Sequence, residues 1–173
     1  MNVRNMVRCA LAAALMCVCA WIAIPAGDTV FTMQTFALFL TLYLLGGKWG
    51  TAAIAVYLLL GAAGLPVFTG FRGGLGVLLG ATGGYLTGFL FCGLTYWLLE
   101  VLIGKEKLLL WVMIPGIILC YLFGTLWYSY GYLSGSQMSV WLVLLRCVVP
   151  YLLPDGVKLL LAWSLARRLK PYI

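Results

Sequence analysis

Histidine is absent from the 173-residue chain, and acidic residues number only four. These two shortages exclude most hydrolytic and metal chemistry. No Ser-His arrangement and no HExxH zinc site is possible. Asp28, Glu100, Glu106 and Asp155 are too scattered for a paired-carboxylate or multi-metal site, so no catalytic residue and no metal ligand is assigned. Gly47-Lys48 is followed by Trp49, which rules out a GxxxxGK[ST] loop for the phosphates of ATP. Charge of either sign is scarce: 9% of residues are charged and 65% hydrophobic, against about 25% and 45–50% in a soluble domain. A chain this short cannot hide so much apolar surface inside itself. Its outside is therefore expected to face lipid, as one membrane domain over residues 1–173.

What charge there is has a sign, a net +7. A basic chain can serve nucleic acid through its phosphates, but the placement here points away from nucleic acid and toward the bilayer. Arg4, Arg8, Lys48, Lys105, Lys107, Arg167, Arg168 and Lys170 occupy chain ends and short gaps between apolar runs, the positive-inside pattern of a membrane protein. The six cysteines (Cys9, Cys17, Cys19, Cys92, Cys120, Cys147) lie in apolar stretches and are expected to pack as small hydrophobes. Arg4 and Arg8 ahead of an apolar run resemble a signal peptide. Further apolar segments follow, so that run is read as a retained helix.

Turn residues divide the chain into an all-α integral membrane protein of about six transmembrane helices, expected near 6–24, 31–45, 50–63, 82–103, 108–132 and 154–169. Pro25-Ala26-Gly27-Asp28 ends the first, Gly46-Gly47-Lys48 the second and Gly64-Leu65-Pro66 the third. The second and third fall short of the ~20 residues that a span usually needs. Residues 64–81 form a glycine-rich loop, suited to tight bends and close approach to a ligand. Residues 140–149 form a helix too short to span, and Pro154 suits the first turn of the last helix. Six spans put the eight basic residues above on one side, against at most Arg72, Arg146 and Lys158 on the other. Both termini are thus expected to be cytoplasmic, with Asp28, Arg72 and the Ser134–Gln137 gap facing outward.

Ionisable groups at membrane depth are costly and mark functional candidates. Asp155 and Lys158, three residues apart, share a helix face and can neutralise each other. The pair reads equally as a pin for the helix or as a ligand anchor, and Asp155 after Pro154 also reads as a helix cap. Gln34, within Phe31-Thr32-Met33-Gln34-Thr35, bonds either a neighbouring helix or a ligand. Arg72 reaches an anionic group or is solvated, and Arg146 is open to the same readings or to snorkelling at the interface. Trp127, Tyr128, Tyr130 and Tyr132 form an interfacial belt or wall a pocket. Ala10 and Ala14 make a small-xxx-small pattern that lets another helix approach closely.

Longer runs carry a resemblance. FTMQTFALFL, LLGGKWGTAAIAVYLLLGAAGLPVF, GGLGVLLGATGGYLTGF and LPDGVKLLLA together resemble BioY, the biotin-specific S component of energy-coupling factor (ECF) transporters. The similarity covers nearly the whole chain in order, and the GLPVF…GGLGVL…TGGY block is its most specific part. The resemblance implies an S-component bundle of six helices with an outward pocket for biotin and no cofactor. It implies that Asp155 and Lys158 contact the biotin head group. Phe31, Thr32 and Gln34 match the FTxQ segment, Gly84 and Tyr85 match TGGY, and Arg72 is a candidate for the valerate carboxylate. Ala10 and Ala14 match the motif that docks on a transmembrane coupling subunit (EcfT), which works with two ATP-binding cassette ATPase subunits in the bacterial cell membrane. Departures are Val30 and Ala81, where the family commonly has proline, and Pro154-Asp155-Gly156 in place of Pro-Gly-Asp. The competing readings are an S component for thiamine or riboflavin, a solitary transporter without ATPase partners, and an intramembrane enzyme, which the empty catalytic inventory disfavours.

Overall fold

The computed structural model describes residues 3–26, 29–104, 109–132 and 140–172. The expectations for Asp28, for the basic gap at Lys105 and Lys107 and for the Ser134–Gln137 gap lie outside these residues. Helix α1 (Val3–Trp21) buries Cys9, Ala13, Met16, Cys17 and Ala20 along one stripe. It turns Val7, Leu11, Leu15 and Val18 outward, as helical spacing dictates for a helix with one packed face. Large exposed apolar side chains recur on every long helix, among them Leu59, Leu98, Ile118 and Leu160. Exposure on this scale suits lipid and not water. Four helices are long and apolar enough to cross a membrane, and all six cysteines are free.

The segment after α1 corrects the expected boundaries. Helix 1 ends at Trp21 rather than Ile24, and residues assigned to the start of helix 2 are strand. Strands β1 (Ala23–Ala26) and β2 (Thr29–Thr32) pair antiparallel, with Ala23 opposite Thr32 and Ile24 opposite Phe31. Pro25 cannot continue a helix, and the flanking Ile24, Thr29, Val30 and Phe31 are β-branched or aromatic residues that suit a pleated strand. A backbone bond from Met33 to Ile22, 3.0 Å, closes the base of the hairpin.

Helix α2 (Gln34–Ala62) is two helical segments joined at Gly46, whose φ of 74° and ψ of 174° fall outside the helix. Few residues other than glycine tolerate that conformation. The chain reverses there. Gln34 bonds Tyr57 across the turn, and a Cβ on Gly50 would lie 3.1 Å from the Cα of Leu42. Glu100 accepts the Gly47 N–H at 2.6 Å, supplying a partner for a donor that the break leaves open.

Within the glycine-rich loop, α3 (Leu75–Leu78) adds one helical turn. Helices α4 (Gly83–Ile103) and α5 (Leu109–Tyr132) follow and pack along each other. The short α6 (Val140–Cys147) leads to α7 (Val149–Leu169). The last helix therefore begins earlier than expected: Pro150 occupies its first turn, and Pro154 lies inside it. Asp155 is an interior residue and not a helix cap. Proline inside a helix also removes one bond of the ladder, here the one to the Pro150 carbonyl. The six long segments (α1, the two of α2, α4, α5 and α7) make the bundle. Arg4, Arg8, Lys48, Arg167 and Arg168 gather toward its Gly46 end, where Cys9 touches the Trp49 carbonyl.

Candidate functional site

At the opposite end the helices diverge around a cavity of about 840 Å³, roofed by the hairpin and the glycine-rich loop. That volume lies within the ~300–1,000 Å³ typical of small-molecule sites. Its walls are apolar, with Leu38, Phe39, Phe68, Leu86, Phe89 and Ile117. Such aromatic and aliphatic side chains accept a flat apolar molecule but fix no orientation. Orientation must come from polar groups.

The densest polar cluster sits where α2, α5 and α7 meet. Lys158 Nζ lies 2.7 Å from Asp155 Oδ1, and both residues are buried. Thr35 Oγ1 donates to the same Oδ1 at 2.8 Å and accepts from Lys158 at 3.1 Å. Tyr121 Oη donates to Asp155 Oδ2 at 2.6 Å. Each charge is thus neutralised and hydrogen-bonded, the condition under which a buried ion pair is tolerated.

Gln34 lies beside this cluster and is also buried. Its Nε2 donates to Tyr57 Oη at 2.6 Å, and Tyr57 passes the bond on to the Val67 carbonyl at 3.1 Å. A polar residue of the cavity wall is thereby tied to the start of the glycine-rich loop. Two tryptophans tie the loop elsewhere. Trp21 Nε1 donates to the Pro66 carbonyl at 2.9 Å, and its ring stacks on Phe71 at 5.0 Å. Trp127 Nε1 donates to the Gly80 carbonyl at 3.1 Å. Between these anchors the chain turns back on itself, with Phe68 paired to Arg72 and positive φ at Gly70 and Phe71 (72° and 56°).

The structure brings six of the expected site residues to the cavity: Asp155, Lys158, Gln34, Thr32, Arg72 and Tyr85. Two others stand elsewhere. Phe31 alternates with Thr32 along β2 and so faces the other side of the strand, its ring against Tyr151 at 5.1 Å. Gly84 is buried against Trp127, where any Cβ would overlap the indole. Its place is a packing one that lets α4 and α5 close the wall. Tyr85 meets Thr125 across the same helix pair at 3.4 Å. Ala10 and Ala14 lie exposed on α1, away from the cavity.

Several cavity residues carried no separate signal in the sequence. Thr35 adjoins Gln34 and was visible only as part of the same segment. Tyr121 reads as an ordinary aromatic of an apolar helix, and its bond to Asp155 spans 34 positions. Tyr151 of α7 lines the cavity beside Arg146 of α6, whose charge the sequence does mark. Tyr151 also reaches the Val30 carbonyl at 3.3 Å, holding the hairpin over the opening.

Comparison with known proteins bears on this arrangement. The model of the BioY family matches residues 1–173. A biotin transporter BioY of Thermotoga maritima is 38% identical over 170 residues, 96% of each chain. A probable biotin transporter BioY of Pyrococcus horikoshii is 34% identical over 163 residues, 93% of each chain. Among solved structures, the S-component for biotin from an ECF-type ABC transporter superposes with a TM-score of 0.83, covering 98% of this chain and 92% of that one at 26% identity. Sequence over the full length and fold agree, and the chain belongs to the BioY family of multi-pass membrane transporters.

Proposed function

We propose that this chain is the biotin-binding membrane subunit of an ATP-driven, ECF-type vitamin uptake transporter. The observation that carries the reading is the largely apolar cavity with its Asp155–Lys158 cluster, in a chain whose full-length relatives bear the name biotin transporter. Biotin supplies a ureido ring with N–H donors and a carbonyl acceptor, an apolar thioether ring and tail, and a terminal carboxylate. Asp155 accepts a ureido N–H. Lys158 donates to the ureido carbonyl through the N–H that its bonds to Asp155 and Thr35 leave open. The bicyclic ring and tail pack on Phe39, Leu86 and Phe89. The carboxylate lies toward Arg72 and Arg146, the two cations lining the cavity without a carboxylate beside them among the described residues.

The chain holds ligand and performs no chemistry on it, and no cofactor enters. ATP hydrolysis falls to two partner ATPase subunits, coupled through a transmembrane subunit that docks on the exposed Ala10/Ala14 face of α1. The basic residues at the Gly46 end support a cytoplasmic position for that end and for both termini, with the cavity opening outward. Titration of the purified chain with biotin, thiamine and riboflavin, followed by tryptophan fluorescence, tests the assignment. A saturable response to biotin alone supports it. A response to another vitamin and none to biotin contradicts it.

A further inference from the structure

The polar cluster of the cavity is more constrained than its composition suggests. An ionised carboxylate offers about four acceptor sites, and an ammonium group three donors. Asp155 has three acceptor sites filled from within the chain: Lys158 and Thr35 on Oδ1, Tyr121 on Oδ2. One lone pair remains, on Oδ2. Lys158 spends two donors, on Asp155 and on Thr35. One N–H remains. The opposite charges cancel, so the cluster offers a ligand neither a net anion nor a net cation.

We infer that Tyr121 and Thr35 are positioning residues that leave the Asp155 carboxylate one acceptor site beside one Lys158 donor, so that the ion pair reads a single N–H/C=O edge of a cyclic urea or lactam. The inference rests on the biotin reading and adds to it the identity of the edge and the residues that enforce it. A cyclic urea presents such an edge on either side of its carbonyl. A protonated guanidine of the same shape presents donors only, and one of them meets the Lys158 ammonium. Tyr121 sets the count, because loss of its hydroxyl opens a second lone pair on Oδ2. Thr35 sets the geometry, because its hydroxyl accepts from Lys158 while donating to Asp155 and so holds the ammonium beside the carboxylate.

The test titrates the full chain in detergent with biotin, with desthiobiotin, which keeps the ureido edge, and with 2-iminobiotin, which replaces it by a guanidine. The wild-type protein is expected to reject 2-iminobiotin. Tyr121→Phe should raise the ratio of 2-iminobiotin to biotin affinity by about tenfold, the effect of one hydrogen bond, and leave the desthiobiotin ratio unmoved. Thr35→Val should weaken biotin and desthiobiotin alike by about tenfold, and Thr35→Ser, which keeps the hydroxyl, should restore both. If Tyr121→Phe weakens all three ligands equally, or Thr35→Ser binds as poorly as Thr35→Val, the positioning role is overturned while biotin binding stands. A wild-type protein that binds none of the three overturns the functional reading itself. Should Tyr121→Phe not fold, the Thr35 pair decides.

Discussion

The two ends of the bundle are built by different means. At the Gly46 end glycine lets backbones touch: Gly47 lies against Trp97, Gly50 against Leu42 and Gly93 against Thr51. Four hydroxyls there, of Thr41, Tyr43, Thr51 and Tyr96, are buried without a hydrogen-bond partner among the described residues. At the cavity end glycine also closes the wall, at Gly84 against Trp127, but the polar groups are held differently. The elements are interrupted by a hairpin, a loop and an interior proline, yet Asp155, Lys158 and Gln34 are all hydrogen-bonded. Close packing tolerates a few orphan hydroxyls where nothing has to be recognised. Where a ligand has to be read, each polar group is fixed in one geometry by its neighbours.

Substitutions can separate these two designs. The largest effect is expected from Asp155→Ala, which leaves Lys158 buried without a counter-charge and should cost about 3–5 kcal/mol of stability. Unfolding in detergent measures it, and the double variant Asp155→Asn/Lys158→Met should recover most of the stability while biotin binding stays lost. At the opposite end Gly47→Val must push α2 from α4, at about 3 kcal/mol. Biotin affinity of the folded fraction should stay unchanged there, which is what distinguishes a packing end from a binding end.

Asp155→Asn alone keeps the shape and removes the charge, and biotin affinity measured by titration should fall by about 1–3 kcal/mol. An unchanged affinity would assign Asp155 to pinning α7. The smallest effect is expected from Tyr57→Phe, which breaks the relay from Gln34 to the Val67 carbonyl at about 1 kcal/mol. It should appear as faster biotin dissociation in stopped-flow fluorescence. If stability falls instead and the rate does not change, the relay belongs to packing.

The membrane bundle was legible because composition leaves no other place for so much apolar surface, and because glycine and proline punctuate it. The hairpin was not, since Ile24, Val30 and Phe31 are as apolar as the helices on either side, and only pairing across Gly27-Asp28 distinguishes strand from helix. Pro154 misled for a similar reason. Proline is most at home in a first turn, and Pro150, four residues earlier, is the one that takes it. In the site, Asp155 and Lys158 announced themselves by their cost at membrane depth. Their contacts could not be read, because Thr35 and Tyr121 come from other helices, 120 and 34 positions away. The separate placements of Phe31 and Thr32 became visible only once their segment proved to be a strand.

The proposed pose sets the ureido ring of biotin on the Asp155–Lys158 cluster and its carboxylate toward Arg72. A crystal structure of the chain soaked or grown with biotin measures this directly. Ring density is expected within hydrogen-bond distance of Asp155 Oδ2 and Lys158 Nζ, with the tail rising toward the glycine-rich loop. Density in the reverse orientation, with the carboxylate on Lys158, or an empty cavity at saturating biotin, would contradict it.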